Sequence, residues 1–139
     1  MAFMNIRSDF TEVERLLEGI DPATVKIIGS YLYYPQYNDI DCAVYDQKVA
    51  LKLLQNASKL NYKVDIRLIT KDDFDNIEDL ITFKNLCMCY HCGKMYFSKK
   101  FINSDELEFN TDATKLYMSI VSIKATVEKL KQRGFKLTL

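Results

Sequence analysis

Apolar residues recur at helical spacing in two stretches of the first half of the chain, residues 11–20 and 46–61. Thr11 with Glu14 fits a capping box at the start of the first stretch, and Asp46 is a typical N-cap for the second. Both stretches are therefore predicted to be amphipathic helices that pack one face against a core.

Three shorter stretches have the β-branched content, or the alternation of polar and apolar residues, that is typical of strands. They cover residues 25–28, 39–45 and 62–69. A Gly29-Ser30 turn closes the first of them. The first half of the chain therefore reads helix, strand, strand, helix, strand.

The second half is less regular. Residues 71–80 are acidic and predicted to be helical, and residues 84–98 are predicted to form a loop or hairpin. From Thr111-Asp112 onward, apolar residues follow one another at intervals of four and three, which predicts a long helix over about 112–133 that Gly134 ends. We expect its apolar face to pack on the protein's own sheet, and a homodimer or protein-partner interface through this helix is the alternative.

These elements indicate an α+β fold in which helices pack on a small mixed sheet, and a length of 139 residues favours one domain spanning residues 1–139, with its core motifs in 25–69. The chain has nineteen basic and nineteen acidic residues, so its net charge does not favour binding nucleic acid over a broad surface. A local basic patch is still compatible with this balance. No apolar run approaches the roughly 20 residues that cross a bilayer, and the N-terminal residues lack the pattern of a signal peptide. We therefore expect a cytoplasmic protein with no membrane partner.

The scarcity of some residue types excludes whole mechanisms. His91 is the only histidine, so any Ser-His-Asp or Cys-His site must use it. The four glycines are too far apart to form a Walker loop or a G-x-G-x-x-G dinucleotide motif.

Three carboxylates are predicted to meet on the sheet. Asp39 and Asp41 are two residues apart on one predicted strand, so their side chains share a face about 7 Å apart at Cα. Asp65 lies on the next predicted strand, between Val64 and Ile66. If these strands pair, the carboxylates converge, and each raises the pKa of the others. A divalent cation such as Mg²⁺ would relieve that repulsion and would also bind phosphate oxygens. Two such ions could bind the attacking and the leaving oxygen of a phosphoryl transfer.

The Gly29-Ser30 turn supplies a complementary feature. Glycine lets a phosphate approach the backbone closely, and the amides and hydroxyl that follow can donate hydrogen bonds to it.

Together, Ile27-Ile28-Gly29-Ser30, then Asp39-Ile40-Asp41-Cys42, and later Val64-Asp65-Ile66 resemble the motifs of the polymerase-β-type nucleotidyltransferase superfamily. The resemblance covers roughly residues 8–70 and is closest in size to the minimal nucleotidyltransferases. It implies a nucleotidyltransferase-like fold and the transfer of a nucleoside monophosphate from an NTP to a hydroxyl, with pyrophosphate leaving. The acceptor stays open among RNA, a protein side chain and a small molecule.

The resemblance also implies residue roles. Gly29 and Ser30 would hold the triphosphate, and Asp39 and Asp41 would bind Mg²⁺ or Mn²⁺. Asp65 would complete the metal site and help to activate the acceptor hydroxyl.

The chain departs from the family after the Gly-Ser turn. Minimal members often carry basic residues there, whereas this chain has Tyr31-Leu32-Tyr33-Tyr34-Pro35. Lys26, Lys63 or Arg67 would then have to serve the triphosphate. This departure motivates a second hypothesis, a catalytically inactive descendant that acts by binding a protein partner.

The string Cys89-Tyr90-His91-Cys92-Gly93-Lys94 resembles a zinc knuckle, which motivates a third hypothesis, a small zinc-stabilised binding module. No cysteine or histidine follows Cys92, and Cys87 and His91 are too close in sequence to complete an ordinary tetrahedral site. The favoured interpretation is packed or free thiols beside a hairpin, so zinc is not expected.

Two further groups of residues, one aromatic and one acidic, are predicted to have structural roles. The tyrosines at 31, 33, 34 and 37 are expected to pack with their hydroxyls in water, and stacking on a base or nucleotide ring is the alternative. The acidic residues of 72–79 are expected to form a solvated helix face.

Overall fold

A mixed sheet of five strands organises the computed structural model, which describes residues 4–113 and 120–137. The strands are β1 (Val25–Ile28), β2 (Ile40–Val44), β3 (Val64–Leu68), β4 (Met88–His91) and β5 (Lys94–Phe97). Their order across the sheet is β3-β2-β1-β4-β5. Strands β2 and β3 run parallel, and the other neighbouring pairs run antiparallel.

The α-helices are α1 (Thr11–Leu16), α2 (Gln47–Leu60), α3 (Lys71–Asp75) and α4 (Ile120–Gln132). The predicted fold class, an α+β arrangement of helices and a small mixed sheet, is confirmed. The predicted start of the last helix adjoins residues 114–119, which lie outside the described residues. Its predicted end is confirmed, because Gly134 adopts a φ of 98° and its N–H donates to the carbonyl of Lys131.

Local capping signals were correct for α2 and wrong for α1. The Asp46 carboxylate accepts a hydrogen bond from the Lys48 N–H, and Asn61 ends the helix in the left-handed region. The predicted capping box at Thr11 does not form, because the carboxylate of Asp9 accepts the hydrogen bonds of both the Thr11 amide and the Thr11 hydroxyl. Thr11 is therefore the first helical residue, and α1 ends at Leu16 rather than near residue 20.

The two faces of the sheet differ in what they bury. One face carries Ile27 and Cys42 into the main core, which also contains Leu53 of α2. The other face carries a smaller apolar cluster of Ile28, Ala43, Ile77 and Cys89. Because strand side chains alternate, the residues next to the core-facing positions of β2 and β3 turn toward this second face.

A buried ion pair lies beside the second cluster. The Lys26 ammonium is 6% exposed and donates to the carbonyl of Phe74 at 2.8 Å, with the Glu78 carboxylate at 3.4 Å. The Ser98 hydroxyl donates to the Asp79 carboxylate. The prediction of a solvated acidic face is therefore wrong for Glu78 and Asp79, whose carboxylates bind groups of the fold.

Within the described ranges, none of the helices is long and apolar enough to span a bilayer.

Candidate functional site

Strand register brings the predicted carboxylates together. Asp41 of β2 pairs with Ile28 of β1 on one side and with Asp65 of β3 on the other. Neighbouring residues on paired strands share a face, so the Asp41 and Asp65 side chains project to the same side. Asp39 immediately precedes β2, two positions before Asp41.

The three carboxylates open into one cavity of about 470 Å³. Gly29 and Ser30, at the end of β1, line the same cavity. The structure therefore brings together all five residues that the sequence pointed to. Their chemical roles stay predictions.

Gly29 lies directly against the side chain of Asp41. Its φ of 83° and ψ of −160° lie in a region that is essentially restricted to glycine. A Cβ at this position would stand 2.1 Å from Asp41 Oδ2 and 3.1 Å from Asp41 Cγ. The turn that follows β1 therefore needs glycine both for its backbone conformation and to leave space for the carboxylate.

The environment of Asp41 disfavours its charge. Burial is the largest cause, and together with the neighbouring charges of Asp65 and Asp39 it raises the pKa of Asp41 to about 6. The cations of Arg67 and Lys129 act in the opposite direction and do not cancel the shift. The cavity therefore holds a carboxylate whose ionised form a further cation would stabilise.

The donor set fits a cation that shares its coordination with a ligand. In the described ranges, no three His, Cys, Asp or Glu side chains are grouped closely enough to form a metal site by themselves. Mg²⁺ does not require such a cage, because it is usually held by one or two carboxylates together with phosphate oxygens and water. Asp41 and its register neighbour Asp65 supply the carboxylate part, with Asp39 at the same cavity.

The cavity has its own basic side chains, and two of these three come from the C-terminal helix and the turn directly after it. Arg67 of β3 lines it together with Lys129 and Arg133. Lys26 and Lys63 do not line it, and Lys26 is committed to Phe74 and Glu78.

Sequence reasoning missed Lys129 and Arg133. They are four residues apart, the spacing of one helix face, and follow the apolar positions Val127 and Leu130 closely in the sequence; Lys129 lies in α4 and Arg133 directly after it. That spacing was readable in the sequence, but the side of the sheet on which the helix docks was not.

Tyr33 links this helix to the turn after β1. Its hydroxyl accepts a hydrogen bond from Arg133 Nη1 at 3.1 Å, and burial raises its pKa. The Arg133 guanidinium also lies over the ring of Tyr34, 4.7 Å from its centroid.

The predicted packing of the tyrosine rings holds for Tyr31 and Tyr33, which are buried, while Tyr34 and Tyr37 are half-buried. The expected contact of their hydroxyls with water is wrong for Tyr31, whose hydroxyl oxygen is buried with no hydrogen-bond partner among the described residues.

The cysteine string forms a hairpin whose thiols point to separate surroundings. Cys87 and Cys89 are buried, near the Phe83 carbonyl and the Glu78 carboxylate respectively, and burial raises their pKa values to about 11 and about 12. Cys92 is exposed in the turn at a φ of 50°. His91 Nε2 lies 3.1 Å from the Ala23 carbonyl.

Comparisons of the chain with protein-family models, with curated proteins and with solved structures gave no match. The residues of the cavity are therefore the basis on which a function is proposed for this chain.

Proposed function

We propose that this chain is a Mg²⁺-dependent nucleotidyltransferase that transfers a nucleoside monophosphate from an NTP to a hydroxyl acceptor. The observation that carries the proposal is the convergence of Asp39, Asp41 and Asp65 on the cavity that also contains the Gly29-Ser30 turn. These residues lie up to 36 positions apart in the sequence (29 to 65) and meet only because the strands pair in this register.

The carboxylates are the proposed cation ligands. Asp41 and Asp65, with Asp39 beside them, would hold Mg²⁺ or Mn²⁺ together with the phosphate oxygens of the nucleotide. The bound ion would neutralise charge on the triphosphate. It would also favour the ionised form of Asp41, whose pKa the protein alone raises to about 6.

The triphosphate is proposed to lie between the Gly-Ser turn and the basic side chains. Gly29 leaves the backbone accessible, and Ser30 adds a hydroxyl at the edge of the cavity. Arg67, Lys129 and Arg133 supply the positive charge that the sequence did not place after Ser30. Arg133 is held in position by Tyr33, which favours a fixed phosphate contact.

In the proposed reaction, the acceptor oxygen forms a bond to the α-phosphorus as the bond to the β-phosphate oxygen breaks, and pyrophosphate leaves with that electron pair. Asp65 is the residue proposed to take the proton of the acceptor hydroxyl. It is exposed on edge strand β3, so an acceptor can reach it from solvent.

The first test is thermal unfolding with each NTP in the presence of Mg²⁺ or of EDTA. A ligand at about 100 times its Kd adds about 2.7 kcal/mol, which raises the Tm of a domain of this size by several degrees. We expect a metal-dependent rise that Asp41→Asn abolishes. The matched control is Asp75→Asn, which removes an exposed carboxylate of α3 and should keep the rise. Absence of a rise with every NTP would reject the proposal.

The alternative, an inactive descendant that binds a protein partner, has less support from the structure than from the sequence. It was based on the absence of basic residues after Ser30, and the structure places three basic residues in the cavity from elsewhere. The apolar positions Val127 and Leu130 of α4 are buried in the protein's own core, so this part of the helix does not offer them to a partner.

A further inference from the structure

A second cavity of about 550 Å³ adjoins the carboxylate cavity. The N-terminal segment 4–9 and the segment Tyr31–Pro35 form most of its lining, and Arg133 and Phe135 complete it. We call it the Arg7 groove. Its polar groups include Arg7, the exposed side chains of Asn5 and Ser8, and the carboxylate of Asp9.

The two cavities share a wall. Tyr33 and Arg133 line both of them, and the hydrogen bond between these two side chains joins the wall together. A molecule that lies in the Arg7 groove therefore contacts two side chains that also line the cavity of Asp41 and Asp65.

Both guanidinium groups of the groove lie over tyrosine rings. The Arg7 guanidinium carbon lies 3.9 Å from the Tyr31 ring centroid, and its Nε donates to the Tyr31 carbonyl at 2.6 Å. Arg133 lies over Tyr34 in the same way. An arginine has five N–H donors, so Arg7 keeps donors beyond its bond to the Tyr31 carbonyl, and Arg133 keeps donors beyond its bond to the Tyr33 hydroxyl.

Among the described residues of the lining, Asp9 is the one carboxylate, and its own turn engages it. It accepts the amide and the hydroxyl of Thr11, and these bonds lower its pKa. Its acceptor capacity is thus directed to the start of α1. Two guanidiniums against one such carboxylate leave the groove with an excess of positive charge.

We propose that the Arg7 groove binds the end of a single-stranded nucleic acid and presents its terminal sugar hydroxyl to the carboxylates as the acceptor. Positive charge that follows a phosphate backbone, together with aromatic rings and guanidinium planes on which bases stack, is the combination that binds single strands. Arg133 lines both cavities, and its guanidinium lies over the half-buried ring of Tyr34, which lines the groove. An acidic peptide would be attracted by the positive charge of the two arginines, but it carries no bases to stack on the tyrosine ring and the guanidinium planes.

The presentation of the hydroxyl rests on the proposed function, but the binding of the strand does not. The test is therefore a binding measurement without NTP or metal. Fluorescein-labelled single-stranded RNA and DNA of roughly 10 nucleotides are titrated with the full chain, and anisotropy is recorded at several salt concentrations.

We expect Arg7→Ala to weaken binding about tenfold and to lower the slope of log K against log salt by about 0.7. Arg15→Ala is the matched control, because Arg15 is exposed on α1 and does not line the groove. Asp41→Asn should keep the affinity. Circular dichroism checks that Arg7→Ala is folded, and Tyr34→Ala tests the groove a second time if it is not.

The outcomes separate the two proposals. Failure of both RNA and DNA to bind, equal losses in Arg7→Ala and Arg15→Ala, or displacement by polyglutamate as readily as by unlabelled strand would each overturn the groove assignment. Stronger binding of RNA or of DNA identifies which nucleic acid the groove takes. Strand binding in a protein that no NTP stabilises would leave the groove standing and reject the proposed function.

Discussion

Two groups of residues in this chain are of types found in metal sites, and the fold arranges them in opposite ways. Asp39, Asp41 and Asp65 are scattered through the sequence, yet they share a cavity, and the charges of Asp39 and Asp65 help to raise the pKa of Asp41. The cysteines around His91 are adjacent in sequence, yet they separate into two buried sites and an exposed turn. Register between strands thus gathers distant residues, while a hairpin separates near ones. Proximity in the sequence therefore did not predict which of these side chains lie together, whereas the pattern of the strands predicted that the three carboxylates do.

The largest contrast is expected in thiol chemistry at the hairpin. Cys92 is exposed, whereas Cys42, Cys87 and Cys89 are buried and have raised pKa values. We expect one thiol to react promptly with DTNB, and the other three to react on the order of a thousandfold more slowly, because they must wait for the protein to open. Stopped-flow absorbance counts the fast and slow thiols. Three fast thiols would mean that the hairpin is more open than described.

The next largest effect distinguishes the glycines of the two regions. Gly29→Ala combines backbone strain with the clash against Asp41, and we expect it to lower the free energy of unfolding by about 3 kcal/mol. Gly93→Ala, in the hairpin, also occupies a positive φ, but its Cβ would meet nothing within 4 Å. That variant should lose about 1 kcal/mol.

Urea titration of both glycine variants gives the comparison directly. Equal losses would show that the close fit of Gly29 and Asp41 contributes nothing to the fold.

A smaller effect tests the ionisation of the carboxylate group. The folded protein holds the Asp41 proton more tightly than the unfolded chain, since its pKa is about 6 against an ordinary value of 3.8. Asp41 therefore destabilises the fold when it is ionised, and its share of the cost disappears as the pH falls from about 6 toward 4.

Asp41→Asn removes that cost. After allowance for solvent screening of a half-buried group, we expect the variant to be more stable than the wild type by about 1 kcal/mol at pH 7, with no difference near pH 4. Chemical denaturation at the two pH values measures this. A less stable variant at pH 7 would show that Asp41 is compensated by its neighbours.

The predictable parts of the fold were those that short-range patterns determine. The N-cap at Asp46 and the left-handed end at Asn61 follow from local hydrogen bonding and backbone preference. The positions of Asp39, Asp41 and Asp65 follow from strand alternation and from the pairing of adjacent strands. The capping box at Thr11 failed because Asp9, two residues earlier, is a competing acceptor.

The unpredictable parts depend on tertiary docking. Lys129 and Arg133 contribute to the cavity because of the orientation of α4 against the end of the sheet, and no local pattern encodes that orientation. The burial of Lys26 with Glu78 has the same origin, since 52 residues separate the two side chains along the chain. Of the basic residues of the candidate site, Arg67 was among the candidates that the sequence offered, whereas Lys129 and Arg133 were not predicted; its three carboxylates were all predicted.

The most direct test of the central claim is the binding of Mn²⁺ in the presence of a non-hydrolysable NTP analogue, followed by the loss of the free-ion signal in electron paramagnetic resonance. We expect the wild type to take up Mn²⁺ with the analogue, Asp41→Asn to take up none, and Cys92→Ser at the hairpin to bind like the wild type. No uptake by the wild type, or uptake that survives in Asp41→Asn, would contradict the proposed role of these carboxylates.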